Sequence, residues 1–338
     1  MQGAEVIVTH GGNIFELARQ RGCDWRDIVD FSASINPLGP APGVKPAIIE
    51  ALDRIVHYPE REPSDLKEAL AAKWAVHQEQ ILLGNGATEL IYFLARTFNG
   101  LPTCLRVPVF LEFHRAFPNA QLTEDCDPDQ WPVTAVQMLT RPENPTGFLL
   151  ESDSLRDWLQ RTRHTVIVDE SFIEFSGAAS LADMIEKRPN LIVLRSLTKF
   201  YALPGLRVGA LLASKELIRE WQTAREPWQV NVLASAAAVA ALQDEDYAAK
   251  SLAFVEGERQ WLAEQCSGLR ATEVAQSRAN FLHIRTDYPA ASLREYLLQH
   301  NLVIRNCSGW TGVPGQSVRI AIRTRNENTR LLDAWRQF

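Results

Sequence analysis

The chain has 338 residues and a net charge of −6, with 46% hydrophobic and 22% charged residues. These proportions exclude a wholly disordered chain, the acidic balance argues against binding nucleic acid through a basic face, and no apolar run reaches the roughly 18 residues of a membrane span. The length suits one large or two ordinary domains. The start, MQGAEVIVTHGGN, lacks the basic-then-apolar order of a signal peptide. Cys23, Cys104, Cys126, Cys266 and Cys307 are scattered and form no CxxC pair. Reduced thiols in the cytoplasm are expected, with no disulfide framework and no metal site.

In chain order, Ser64 stands where it can cap a helix whose apolar positions Leu66, Leu70 and Trp74 recur at helical spacing. Residues 81–83 predict a strand, followed by GNGATE and a helix over about 88–98. Further strands are expected at 135–139, 165–168 and 191–194, with a helix through 155–159. The Ala-rich run 230–242 predicts a buried helix, between helices at about 215–225 and 246–267. Strands at 281–284, 303–305 and 318–322 and a last helix from about 326 follow. The alternation predicts an α/β fold, with a largely parallel sheet wrapped by helices and then a smaller α+β unit. The division expected is a large domain over 31–230, a small domain over 231–338, and a segment 1–30 that packs on the small domain and the active site.

Four polar features stand at the ends of predicted strands, where open α/β sheets bind ligands. They are Gly84-Asn85-Gly86-Ala87-Thr88-Glu89, Asn144-Pro145-Thr146-Gly147, Asp169-Glu170, and Ser196-Leu197-Thr198-Lys199 running on to Gly205-Leu206-Arg207. Taken singly, each has an ordinary reading as a tight turn, a helix cap or a solvated loop residue. Together they suit one ligand. A glycine turn into a helix start can hold phosphate, helped by Ser196 and Arg207. Lys199 in an apolar setting offers a nucleophilic amine. A carboxylate can keep a pyridine nitrogen protonated, and an amide can bond a phenolate oxygen. These are the needs of pyridoxal 5′-phosphate.

The same motifs in the same order resemble fold-type I pyridoxal phosphate enzymes, on the histidinol-phosphate aminotransferase branch of the class I/II aminotransferase superfamily. HGGN (His10 to Asn13), DFSASINPLG (Asp30 to Gly39), RSLTKFYALPGLRVG (Arg195 to Gly209) and VRIAIR (Val318 to Arg323) sharpen the likeness to the threonine-phosphate decarboxylase family of cobalamin biosynthesis. The resemblance spans nearly the whole chain. It implies the fold-type I transferase fold, with a seven-stranded type of sheet in the large domain. It implies that Lys199 forms the Schiff base, Asp169 pairs with the pyridine nitrogen, and Asn144 bonds the ring hydroxyl. Gly86, Ala87 and Thr88, with Ser196 and Arg207, would hold the cofactor phosphate. Phe110, or less favourably Phe113, would stack on the ring, and Ser171 would pack on its other face. Tyr58 would reach the cofactor phosphate of a second subunit, which implies a homodimer. Arg305, Arg319 and His10 would meet the anionic groups of a phosphorylated amino acid, with Asn144 beside them and Arg323 as a weaker candidate. The activity implied is decarboxylation of threonine phosphate, with histidinol-phosphate aminotransferase as the rival. Phe172 stands where many aminotransferases carry a tyrosine that bonds the cofactor, which favours the first. Ala87 and Glu143 depart from the usual acidic residue and asparagine of the pattern.

Overall fold

The computed structural model describes residues 10–270 and 272–338. Its strands are β1 (Val29–Asp30), β2 (Ile81–Gly84), β3 (Thr103–Arg106), β4 (Gln121–Thr123), β5 (Val136–Thr140), β6 (Thr165–Asp169), β7 (Leu191–Ser196), β8 (Gly209–Leu212), β9 (Thr272–Val274), β10 (Phe281–Thr286), β11 (Leu302–Val303), β12 (Arg305–Asn306) and β13 (Gln316–Ala321). A seven-stranded sheet runs β2-β8-β7-β6-β5-β3-β4. Only β8 is antiparallel to its neighbours in that sheet, and the other pairings are parallel. The inner strands are buried along nearly their whole length and mostly apolar, because both faces are covered.

The helices are α1 (Ile14–Arg21), α2 (Val44–Ala51), α3 (Ser64–Trp74), α4 (Gly86–Thr97), α5 (Leu111–Ala116), α6 (Ser152–Arg161), α7 (Leu197–Phe200), α8 (Lys215–Ala224), α9 (Val232–Leu242), α10 (Glu245–Ser267), α11 (Ala290–Gln299) and α12 (Arg325–Trp335). Ser64 does not cap α3. Its hydroxyl and amide donate to Glu60, and Pro63 precedes the helix. The expected cap is lost because a nearer carboxylate takes the serine. Among the described residues, no helix is long and apolar enough to cross a membrane.

A second sheet, β12-β13-β10-β9, carries the last third of the chain. Its inner face, with Leu282, Ile284, Ile304, Val318 and Ile320, packs on α10, α11 and α12. Phe31 belongs to this core, and β1 pairs in parallel with β11. Conversely, the alanines of α9 are buried with α2 and α3 in the core of the large sheet. Small side chains there let three helices approach closely. We propose that the large unit extends through α9 and that the change of unit falls within α10, later than 230. Residues 29–31 then belong to the small unit.

Candidate active site

The register of the large sheet brings the polar motifs to one edge. Asp169 ends β6, opposite Thr140 of β5 on one side and Leu194 of β7 on the other. Asn144 follows β5 by four residues, and Ser196 ends β7. Gly209 of β8 lies opposite both Gly84 of β2 and Ser196 of β7. It needs to be glycine, since a Cβ there would lie 2.7 Å from the Ala87 amide nitrogen. The turn from β2 into α4 thus sits directly beside Ser196.

That turn is open to an anion. No side chain caps α4, and Gly86 has φ +77, where a Cβ would meet the Arg207 guanidinium at 2.4 Å. Glycine permits both the backbone angle and the close arginine. Arg207 is itself anchored by the Pro204 carbonyl at 3.3 Å. The Ser196 and Thr198 hydroxyls share a hydrogen bond of 2.7 Å, and Lys199 Nζ donates to Thr198 Oγ1 at 3.1 Å.

Lys199 is pushed down to about 8, first by burial and then by Arg207 and Arg319, with Asp169 pulling the other way. Burial pushes the Asp169 carboxyl up, against the pull of Ser171 and Lys199. The Ser171 amide donates to Asp169 Oδ1 at 2.8 Å. A buried acid held up by desolvation gains from a cationic N–H partner. A buried amine held down is a ready nucleophile. With the open helix start beside them, these residues fit pyridoxal 5′-phosphate.

Above them lies the second sheet. Arg305 of β12 and His283 of β10 both stand opposite Arg319 of β13, so the three occupy one row on one face. Arg319 donates to Asn144 Oδ1 at 2.5 Å and to the Ser32 carbonyl at 2.7 Å. Its guanidinium lies 5.1 Å over Phe281, whose ring packs edge-on against Phe172 at 5.2 Å. Its Nε is buried with no hydrogen-bond partner among the described residues. Arg305 lies 5.1 Å over Trp310 and is pushed down to about 10 by burial and by Arg319.

The HGGN and DFSASINPLG motifs meet. Gly12 N donates to Ser32 Oγ at 3.0 Å, and a Cβ on Gly11 would lie 2.4 Å from the Ser32 carbonyl oxygen. This seating brings the His10 ring to 5.7 Å from Phe110. Asn36 ties the same segment to the lysine loop. Its amide nitrogen donates to the Phe200 carbonyl, Tyr247 and Ser251, and its backbone N–H to the Lys199 carbonyl.

Some expected residues are not brought together with these. Phe113 is buried in the core on the far side of the sheet, so of the two candidates only half-buried Phe110 lies at the site edge. Arg323 is paired with Glu327 at 2.6 Å. Tyr58 is 80% exposed and stacks on Trp228 at 4.6 Å, away from this row. Glu143 is not left alone beneath Asn144, because Arg106 and Thr146 both bond it. Thr198 and Asn36 lie within motifs quoted above but had no role assigned, and nothing in the sequence singled out Glu112. The last, on α5, bonds His10 at 2.6 Å.

The family profile described as aminotransferase class I and II matches residues 26–334. This chain belongs to that family. Its cofactor is pyridoxal 5′-phosphate, and it is an enzyme of the class I/II superfamily. The chain is 34% identical to a threonine-phosphate decarboxylase of Salmonella typhimurium, over 97% of its own length and 95% of the relative's. It is 33% identical to a histidinol-phosphate aminotransferase of Moorella thermoacetica, over 97% and 89%. It is also 31% identical to the adenosylcobalamin biosynthesis bifunctional protein CobDQ of Leptospira interrogans, and spans 40% of that longer protein. The crystal structure of L-threonine-O-3-phosphate decarboxylase from Porphyromonas gingivalis superposes with a TM-score of 0.85 at 27% identity, covering 92% of this family member and 99% of the other chain.

Proposed function

We propose that this chain decarboxylates L-threonine O-3-phosphate to (R)-1-amino-2-propanol O-2-phosphate and CO2, supplying the aminopropanol linker of cobalamin. The observation that carries the reading is the seating of His10-Gly11-Gly12 on Ser32, whose carbonyl also takes Arg319. It adds a third group able to carry positive charge to the Arg305–Arg319 pair, and so suits a substrate with both a carboxylate and a phosphate.

When bound, pyridoxal 5′-phosphate supplies an electron sink for the carbon that loses its carboxylate. Lys199 holds it through the side-chain amine. Asp169 keeps a proton on the pyridine nitrogen. Asn144 takes Arg319 on its oxygen, which leaves its Nδ2 as the donor for the ring hydroxyl. The α4 start with Gly86, Ala87 and Thr88, together with Ser196 and Arg207, binds the phosphate. Phe110 and Ser171 flank the ring.

Arg319 offers its free Nε, and Arg305 its guanidinium, to the substrate anions, with His10 at the phosphate. Orientation of the scissile bond by such anchors is worth several kcal/mol, by order of magnitude. Phe172 carries no hydroxyl for the cofactor and instead supports Phe281 beneath Arg319. Lys199, with its lowered affinity for protons, can return one to the carbon after CO2 leaves.

We further propose a homodimer. Tyr58 and Trp228 form an exposed stack beside exposed Ile49, Ile55 and Val56, an apolar ridge suited to a second copy. Tyr58 would then serve the partner's cofactor phosphate.

The rival is histidinol-phosphate aminotransfer, supported by relatives of similar identity. Purified holoprotein incubated with threonine phosphate should release CO2 and the amino alcohol phosphate. Turnover only with histidinol phosphate and 2-oxoglutarate would refute the decarboxylase reading.

A further inference from the structure

We propose that Arg225, which the reaction described above does not use, is a positioning residue for the cofactor phosphate: it braces the turn between β2 and α4 and cancels the charge of Glu89 beside it. The inference rests on the reading of the α4 start as the holder of that phosphate.

Arg225 stands at the end of α8, remote in sequence from the turn, and is buried. Its guanidinium forks across the turn. Nη1 donates to the Leu83 carbonyl at 2.7 Å, and Nη2 donates to Glu89 Oε2 at 2.6 Å. Leu83 belongs to β2 just before the turn, and Glu89 lies in the first turn of α4 just after it. Gly84 leaves room for this arrangement, since a Cβ there would lie 2.7 Å from Glu89 Oε2. The guanidinium also lies 5.1 Å over the ring of Phe93, one helical turn beyond Glu89. One side chain thus holds the strand end, the helix start and the next helical turn together. A lysine ammonium lacks the planar fork that spans two fixed acceptors.

The turn has two needs that this contact meets. Backbone N–H groups bind phosphate only when they point at it, so the helix start must keep its angle to the strand. The Glu89 carboxylate in the first turn suits the helix dipole, but unpaired it would repel an anion held by the same turn. Arg225 fixes the angle and neutralises the acid. The connection from α8 to α9 that begins at Arg225 also reaches the other side of the site. Asn231 caps α9 by accepting from the Ala234 amide at 2.8 Å, and its Nδ2 donates at 3.4 Å to the carbonyl of Leu206, the residue before Arg207.

The test compares pyridoxal 5′-phosphate with pyridoxal, which lacks the phosphate, as ligands of the cofactor-free full chain, followed by visible absorbance. Arg225→Met should weaken binding of the phosphorylated form by on the order of tenfold and leave pyridoxal unchanged. Arg225→Lys should fall between Arg225→Met and wild type. Adding Glu89→Gln to Arg225→Met should bring no further loss, because the two residues act as a pair. Equal weakening of both ligands would make Arg225 a general structural residue. Unchanged binding of both, or a further loss from Glu89→Gln, would show that the turn is braced without it. Each of these results overturns the proposal. If Arg225→Met does not fold, Arg225→Lys carries the same comparison. Wild type that binds pyridoxal as tightly as its phosphate would refute the phosphate reading itself, whereas a phosphate preference kept in full by the variants would refute only the role of Arg225.

Discussion

Lys199 shows how far single residues set the chemistry. Its amine is bonded to Thr198 at 3.1 Å and sits in the field of Arg207 and Arg319 as well as Asp169. The folded chain lowers its proton affinity to about 8, where an exposed lysine stays charged to about 10.4. Only the neutral amine attacks an aldehyde. The rate at which cofactor-free protein takes up added pyridoxal 5′-phosphate should therefore rise through about pH 8 and level off above it, as followed by visible absorbance. A rise continuing toward pH 10 would mean that Lys199 is not so depressed. Lysine, aspartate and asparagine could be read from the chain because each lies in a short motif. Asn36 lies in a quoted motif too, but its role could not be read there, since its value comes from Tyr247, 211 residues away, and from the Phe200 carbonyl. Each such bond contributes about 1 kcal/mol, yet none leaves a local pattern. Glu112 was hidden for the same reason, being an acid in an ordinary short helix until His10 meets it.

Among the elements, long buried strands were legible and partner switches were not. Strands β5, β6 and β7 announce themselves as β-branched and apolar runs bounded by polar turns. The stretch 303–305 reads as one strand but is divided between two, because β11 pairs with β1 and β12 with β13. Edge strand β4 is largely exposed and carries little hydrophobic signal. The row Arg305–Arg319–His283 is a product of register alone, which no sequence spacing reveals. It has a measurable cost. Burial, then Arg319 and Arg285, push His283 down to about 4 from its ordinary 6.5. Between those values the unfolded chain binds the proton and the folded chain does not. Stability should then rise with pH from about 4 to 6.5 and gain nothing more from this group above that. The full span is about 3 kcal/mol by order of magnitude. Urea unfolding of His283→Asn should lack that share of the slope, and identical slopes in both proteins would show that His283 charges freely in the fold.

For the whole molecule, a shared site makes a numerical forecast. If Tyr58 serves the partner's cofactor, Lys199→Ala and Tyr58→Ala each damage a different half of the same site. Refolding an equal mixture gives half heterodimers, each with one intact site of two. Activity should then return to about a quarter of wild type, and a mixture as inactive as its parents would place Tyr58 within its own subunit's business. The pairing of β1 with β11 has another bearing. Phe31 fills a core whose other members are made last, between Leu262 and Trp335. During synthesis on the ribosome, β1 and Phe31 lack these partners until the segment from Leu262 to Trp335 has emerged. The large sheet can assemble meanwhile, but the segment that seats His10 on Ser32 takes its place only when strands separated by about 270 residues pair.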